Sequence, residues 1–581
     1  MLSASTTVMS HYWINPFMKK ISLFFLSFFL TFSAFTQSII YVTPSGAGNN
    51  SGSSWTNALP GNQLPSRVPT AASGAQFWVA SGTYKPTTTT DRTASFSVAS
   101  GVSIYGGFTG TEMSLDQRVK DANETIFSGD IGTAGYAQDN SKVIVRLTNV
   151  GKFITLDGLT IRDGRIISFD NESSGAGLLV DLASTALSLS IYNCRFINNV
   201  IVPGYSGGGA IGLTARSNSS CSLTVKNCLF SGNEGGFGGA VSPQTIGGTV
   251  TSTFEDCVFK NNKGLNDSGA ISYVFVNQPD SVSLQIKRCT FLTNQALYSA
   301  GAITLGNNMC LIEDCLFDNN KVTYSYEYGG GGAVDGSSSN STFKNCLFAY
   351  NSAAYGGVVY SNSANKATQL KFINSDFVSN IASIAGGVFY NINSTQSTST
   401  TYNLNETYLT NCIIWQNASP DSPVFKSSVQ SNSAYNQLYT TYSLIQGGYP
   451  GTGNLNLDPR FIDPGSGDYR LSSSSPAINV GDPDSVNLPT TDLAGNPRLQ
   501  GGRVDMGAYE FTAPTVLFTL KNGSWTDPSV WSCNCLPGNA DAVIVRHIIQ
   551  IPSSYSSTAY NVNFDLNGRL DFSTDAKIQL N

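Results

Sequence analysis

The chain has 581 residues, of which only 12% are charged, about half the roughly 25% usual for a soluble domain. Its formal net charge of −6 offers no basic surplus and speaks against nucleic acid as a partner. With 57 glycines and Ser, Thr and Asn dense throughout, few stretches suit helix formation, and an all-β protein is expected.

Lys19 and Lys20 precede an uncharged run from Ile21 to Phe35, and Ala34-Phe35-Thr36 supplies a small-residue cleavage site. This is the pattern of a secretory signal, assigned to residues 1–37, with Met18 as an alternative true start. The apolar run falls short of the ~20 residues that span a bilayer as a helix; an N-terminal membrane anchor is the competing reading. The protein is expected to be exported, to act at a bacterial cell surface outside the outer membrane, and to meet a membrane only through an anchor not evident in the sequence.

Residues 38–190 alternate short apolar runs with turns, as in "AQFWVASGTYKPT", "GVSIYGGF" and "KFITLDGLTIRDG", and read as the first coils of a solenoid. From 191 to 454 a unit repeats. It reads "CRFINN" at Cys194, "CLFSGN" at Cys228, "CVFKNN" at Cys257 and "CTFLTN" at Cys289. It continues as "CLFDNN" at Cys315, "CLFAYN" at Cys346, "SDFVSN" at Ser375 and "CIIWQN" at Cys412, with starts 26 to 37 residues apart. Small residues lie between copies, as in Gly208-Gly209-Ala210, Gly238-Gly239-Ala240 and Gly331-Gly332-Ala333.

Each part has a physical reading. Positions i and i+2 of a strand share a face, so each Cys and the Phe after it (Phe196, Phe230, Phe259, Phe291, Phe317, Phe348) point the same way. Stacked at ~4.8 Å per coil, they form two core columns. The Asn that ends each unit (Asn199, Asn233, Asn262, Asn294, Asn320, Asn351, Asn380, Asn417) is placed to bond its own bend and the equivalent amide one coil away. The glycines serve corners or close passages of the chain. Metal binding or redox chemistry is the alternative for the cysteines, but single residues some 30 apart lack the close pairs of metal sites, and a small buried hydrophobe fits them better. A leucine-rich repeat is the competing solenoid; the returns between units show no helical period. The expected fold is a right-handed parallel β-helix of roughly a dozen coils, followed by a small β-rich module.

The N-terminal region, through "VASGTYKPT", "GVSIYGGFTGTE" and "SGDIG", resembles pectin-lyase-like β-helix proteins of the Bacteroidetes. The pairing of F-x-x-N with G-G-A from about Cys194 to Asn417 resembles the repeats of polymorphic outer-membrane proteins, which implies surface exposure and adhesion. Residues 455–511, with "LDPRFIDPGSGDYRLSSSSPAINVGD", "DLAGNPR" and "VDMGAYEF", resemble a choice-of-anchor module, here expected to close the helix. Asp468, Asp482, Asp484, Asp492 and Asp505 within it are read as turn-formers in preference to a calcium cluster. Residues 512–581, "NGSWTDPSVWSCNCLPGNADAVIVRHIIQI" onward, are similar to small β-rich modules carried by such secreted proteins; Cys533 and Cys535 stand too alone for a zinc site.

Chemistry has little to rest on. The galacturonase strings N-T-D, D-D, G-H-G and R-I-K of the resembling family are missing, and beyond residue 37 His547 is the sole histidine. The acidic pairs Glu255-Asp256 and Glu313-Asp314, and Asp376, make a weak catalytic constellation. Tyr298, Tyr324, Tyr326, Tyr328, Tyr350, Tyr355 and Tyr360 cluster in or near variable loops, where tyrosine stacks on sugars or packs against proteins. The expectation is therefore a monomeric adhesin-like binder of extracellular glycans or cell-surface proteins, with no catalytic, cofactor-binding or metal-binding residues assigned; a polysaccharide lyase or glycoside hydrolase is the alternative.

Overall fold

The computed structural model describes residues 38–580 except 121, 168–173, 203–206, 274–281, 307, 325–329, 364–365, 394–402, 430–435, 485–487, 501, 513–514 and 539–540. The signal assigned to 1–37 lies outside the described residues, as do Tyr326 and Tyr328.

From Ile39 to Ile445 the chain is a right-handed parallel β-helix. Its strands fall into four parallel sheets, here A, B, C and D in the order a coil visits them, with 14, 12, 8 and 11 strands. In one coil the chain runs through Ala186–Tyr192 in A, Arg195–Ile197 in B, Val200–Ile201 in C and Ile211–Arg216 in D, then enters Ser220–Lys226 of the next A strand. Sheet A strands alternate as the pleat requires: Leu187, Leu189 and Ile191 point into the core, Ser188 and Ser190 outward. Register is constant along sheet B, where Phe196 pairs with Phe230, Phe230 with Phe259 and Phe259 with Phe291.

The rings of Phe196, Phe230, Phe259, Phe291, Phe317, Phe348 and Phe377 form one stack, with centroids 4.6 to 5.1 Å apart and planes within 12°. The asparagines form a second column, completely buried from Asn199 to Asn380. The side-chain oxygen of Asn233 accepts from the backbone N–H and the side-chain amide of Asn199, both at 3.1 Å, while its own amide donates to the Phe196 carbonyl at 2.9 Å. The same bonds link Asn262, Asn294, Asn320, Asn351, Asn380 and Asn417 in turn.

Cys194, Cys228, Cys257, Cys289, Cys315, Cys346 and Cys412 are buried free thiols. They sit at the corner one residue before each sheet B strand, not within it. Their sulfurs do more than fill space: the Cys194 N–H donates to Cys228 Sγ at 3.3 Å, and Cys257 and Cys289 donate likewise to the next sulfur at 3.4 Å. Where serine replaces cysteine the acceptor persists, Cys346 donating to Ser375 Oγ at 3.2 Å and Cys412 to Ser443 Oγ at 3.1 Å. Burial pushes the thiols of Cys228, Cys289 and Cys315 up, which keeps them inert. The glycines answer close approach: a Cβ on Gly239, Gly269, Gly301, Gly332 or Gly357 would collide with the backbone carbonyl of the equivalent glycine in the next coil.

Both corners flanking the sheet B strands of the repeated coils use left-handed backbone, which the repeat alone did not reveal. The residue before the ladder cysteine (Asn193, Asn227, Asp256, Arg288, Asp314, Asn345, Asn411) and the residue before the ladder asparagine (Asn198, Gly232, Asn261, Thr293, Asn319, Tyr350) all have positive φ. Asn and Asp tolerate this region best, which accounts for their frequency at both places. Arg288, Thr293 and Tyr350 are held there against their preference by the stacked coils on either side.

Leu64 and Val68, on a short helical segment, cover the first coil and join its core. At the other end Leu455 bridges to Leu444, and Tyr449 packs against the core. Residues 446–456 cover the last coil there, ahead of residues 457–511. The latter fold back along the outer face of sheet B, where Tyr469 packs with Leu347, Ala349 and Val378, and Leu471, Ala477 and Met506 with Ile413 and Leu444. The outward side chains they cover include Leu347, Val378 and Ile413, at positions that Arg195 and Lys260 occupy in two of the earlier coils.

Residues 515–580 make a second, smaller parallel arrangement of two three-stranded sheets and one two-stranded sheet. Its core is Trp525, Val530, Trp531, Val543, Val545, Ile549, Ile551 and Ala559. Cys533 and Cys535 form a disulfide.

Candidate binding groove

The module on late coils leaves the outer face of sheet B open in the earlier ones. Its floor is the outward side chains of strands Leu159–Arg162, Arg195–Ile197, Leu229–Ser231, Val258–Lys260 and Thr290–Leu292, which span about 19 Å at ~4.8 Å per coil. A cleft of about 610 Å³ occupies the N-terminal end, lined by Val119, Lys120, Glu124, Arg195, Asn227 and Asp256 among others. A second, of about 340 Å³, lies where Arg288, Asp314 and Leu316 meet Thr491, Leu493 and Tyr509 of the module.

The N-terminal wall is held by Arg118, whose guanidinium donates to Asp157 at 2.7 Å, to the Leu115 carbonyl at 2.8 Å and to the Gly106 carbonyl at 3.1 Å. It also lies 5.5 Å from the ring centroids of Tyr105 and Phe108, a well-satisfied buried cation. Arg118 is thus a brace, and Lys120, Val119 and Arg195 are the groups left facing solvent. One edge of the groove is the left-handed corner column. Asn193 donates to Asp157 at 2.7 Å and Asn227 to Asn193 at 2.7 Å, and Arg288 bonds Asp256 at 2.6 Å.

The carboxylates here are engaged. Glu124 accepts from Thr160 at 2.7 Å and lies 3.9 Å from Arg195. Glu255 and Asp256 share Lys226 and Arg288. Hydrogen bonds from Lys226 and Arg288 to Glu255, and from Arg288 to Asp256, hold both acids below the usual carboxylate range. They therefore stay ionised and make poor proton donors. Among the described residues no group of three or more His, Cys, Asp or Glu side chains is placed to hold a metal.

Of the tyrosines expected to be exposed, Tyr360 is buried, 6.0 Å from Tyr390 in a small cluster outside the main core. Its strand places it outward, but that face of sheet D is itself covered. Tyr355 is half-buried 4.7 Å from Tyr390, and Tyr298 and Tyr324 meet edge to face at 4.8 Å. Tyr350 is exposed and donates to the Pro464 carbonyl at 3.3 Å. The described tyrosines thus do not line one surface.

The aspartates of 455–511 bond backbone amides or arginine. Asp468 pairs with Arg470, Asp482 accepts from the Asp484 N–H, and Asp492 accepts from the N–H groups of Asn496 and Glu510. Asp505 accepts from Asn479 at 2.6 Å and Phe511 at 2.5 Å. Arg498 and Glu510 form a fully buried pair at 2.9 Å, and Arg498 also bonds Asn345 of sheet B's corner at 2.5 Å. Asp376 of sheet B, beneath this segment, is poorly satisfied by contrast: it is 1% exposed under Gly507, and burial raises its pKa to about 8 against the weaker opposing pull of the Ala508 N–H and Arg498.

No family model matches the chain. It is 31% identical over 233 residues to the probable autotransporter YfaL of Escherichia coli strain K12, a match covering 36% of this chain. The chain spans 16% of that relative's length. Among solved structures it is similar to the pectate lyase Pel9A, with TM-score 0.36 and 13% identity over 82% of this chain and 97% of that one. It is also similar to the PL6 family alginate lyase AlyGC, with TM-score 0.38 and 10% identity over 93% and 72%.

Proposed function

We propose that this chain is an exported, cell-surface binding protein of adhesin type, and that the open groove on sheet B holds an extended extracellular polymer. The observation that carries this reading is the groove itself. Its side chains recur at the spacing of the coils, differ from coil to coil, and are bounded by the Arg118-braced loop and by residues 491–509. Solenoids present such extended faces to long ligands. Similarity to an autotransporter supports export to the surface. The resemblance of 191–454 to polymorphic outer-membrane protein repeats, and of 455–511 to a choice-of-anchor module, supports surface display; in this reading 455–511 serves as groove wall as well.

The charge pattern favours a ligand that offers hydroxyls and scattered charges. Lys120 and Arg195 stand beside Glu124, and Arg288 beside Asp256, so neither sign dominates. A glycan array and a cell-adhesion screen of the full chain test the proposal, with Lys120→Ala and Arg195→Ala as groove variants. Binding lost in both supports it; binding unchanged in both removes the groove from the account.

The second reading is cleavage of an acidic polysaccharide, favoured by Lys120 and Arg195 lying with Glu124 in one cleft. Appearance of unsaturated or reducing sugar ends from pectin or alginate on incubation with the chain would establish it in place of simple binding.

A further inference from the structure

The ladder and corner residues of the β-helix each have an evident structural duty; the Cys533–Cys535 disulfide has none. The two cysteines are separated by a single residue, Asn534, and are joined to each other. A bond closing so short a loop removes little entropy from the unfolded chain. It ties no two elements together, and the module's core of Trp525, Trp531, Val543 and Ile549 is assembled without it. Both residues are exposed, as are Asn534 and Leu536 on either side of Cys535, and Asn534 has φ of 53°. The other cysteines of the chain, nine in number, are buried free thiols. All the solvent-accessible cysteine sulfur is therefore in this one turn.

We propose that Cys533–Cys535 is a thiol-exchange site that captures an accessible thiolate of a partner molecule as a mixed disulfide. Exposed disulfides are the labile ones, and exchange is faster when the departing sulfur is better stabilised as thiolate. The turn distinguishes its two sulfurs in that respect. The Cys535 N–H donates to Cys533 Sγ at 3.1 Å, a bond that strengthens when the sulfur carries charge. The incoming thiolate accordingly attacks Cys535 Sγ, a new S–S bond forms there, and the Cys533–Cys535 bond breaks with its electron pair left on Cys533. The partner sulfur and Cys535 share the mixed disulfide, Cys533 becomes the thiolate and then takes a proton from water, and no external oxidant or reductant is consumed. Return attack by Cys533 on Cys535 releases the partner, so capture is reversible.

The test is incubation of the full, folded chain with reduced glutathione, followed by acid quenching and peptide mass spectrometry. The expected result is glutathione on Cys535 with Cys533 as free thiol. Exchange should run about tenfold faster than between glutathione and a small unstrained disulfide under the same conditions. The double variant Cys533→Ser, Cys535→Ser should take up no glutathione yet melt at the wild-type temperature. Absence of adduct in the wild type would overturn the proposal, as would a melting temperature that falls when the bond is removed, since that would assign the bond a structural role. Glutathione on Cys533 instead would overturn the assignment of the leaving sulfur.

Discussion

Replacing Asn294 by Ala should cost the β-helix about 5 kcal/mol, far more than any single surface change. Asn294 is completely buried. Its side-chain oxygen accepts from the Asn262 N–H at 3.1 Å and the Asn262 amide at 2.9 Å. Its own amide donates to the Phe259 carbonyl at 2.8 Å and to Asn320 at 3.0 Å. Alanine deletes all four bonds. The Asn262 amide keeps its second acceptor, the Phe230 carbonyl at 3.0 Å, but the Asn262 N–H is left without a partner in a dry interior. An orphaned buried donor costs about 1–3 kcal/mol and each further bond about 1 kcal/mol, which gives the total. The control is Lys263→Ala, which removes a surface ion pair to Glu234 at 3.4 Å and should cost about 0–1 kcal/mol. Urea unfolding followed by circular dichroism compares the two. Asn294→Asp sharpens the test, because a carboxylate oxygen would then face the Phe259 carbonyl and the Asn320 oxygen. It should be worse than alanine at neutral pH and recover in acid, when the carboxyl can donate. If Asn294→Ala falls within about 1 kcal/mol of the lysine control, the ladder is a passenger of the stacking and not a source of stability.

Asp376→Asn should stabilise the protein at pH 8 and flatten its pH dependence. With a folded pKa of about 8 against an ordinary 3.8, the native state holds a proton that the unfolded state has lost between those values. The native state's advantage is complete below about 4, declines as pH rises towards 8 and is flat beyond, at about 1.4 kcal/mol per unit; melts of both proteins from pH 5 to 9 check this. Gly301→Ala would drive a methyl into the Gly332 carbonyl of the next coil and should lower stability by about 3 kcal/mol, read as a fall in melting temperature. Arg195→Ala, at a side chain 48% exposed, should weaken ligand binding about tenfold while stability stays within about 0.5 kcal/mol. Equal losses of binding and stability would mean that Arg195 holds the wall and not the ligand.

The repeat made the core legible because stacking forces each inward position to obey the same constraint in every coil: Phe at the ring column, Asn where an amide must be bridged, Gly where carbonyls pass. The left-handed corners were visible only in part. Asn193, Asn227 and Asn345 fit the backbone there, but Arg288 and Tyr350 give no such signal, since their neighbours and not their own preference hold them. The seat of 457–511 on sheet B is not legible in that segment's own residues. An aspartate-rich, turn-rich segment reads as an end-piece, and its seat is marked elsewhere, in the outward side chains of sheet B that it covers, among them Leu347, Val378 and Ile413. The tyrosines misled because pleat alternation tells inward from outward, not outward from exposed. Tyr360 points out of sheet D and is still covered.

In the proposed binding function, the same outward stripe is where recognition lies. In every coil the residues one and three places after the ladder cysteine leave the core and meet whatever lies on sheet B. Late coils spend those places on Leu347, Ala349, Val378 and Ile413, and the chain itself covers them. Earlier coils carry Arg195, Ser231, Lys260 and Thr290 there beside Ile197, Leu229, Val258 and Leu292; none of these packs in the core, and each could be changed without disturbing the Phe or Asn columns. A solenoid that fixes every inward residue leaves its outward ones free to differ. The coils between the Arg118-braced loop and Thr491 are where that freedom has set charge and hydroxyls beside Leu229 and Val258 in an open cleft. Any ligand of this groove is therefore read at two-residue intervals along each strand and at ~4.8 Å from coil to coil. Its specificity should shift coil by coil with single substitutions at those positions, without the fold registering the change.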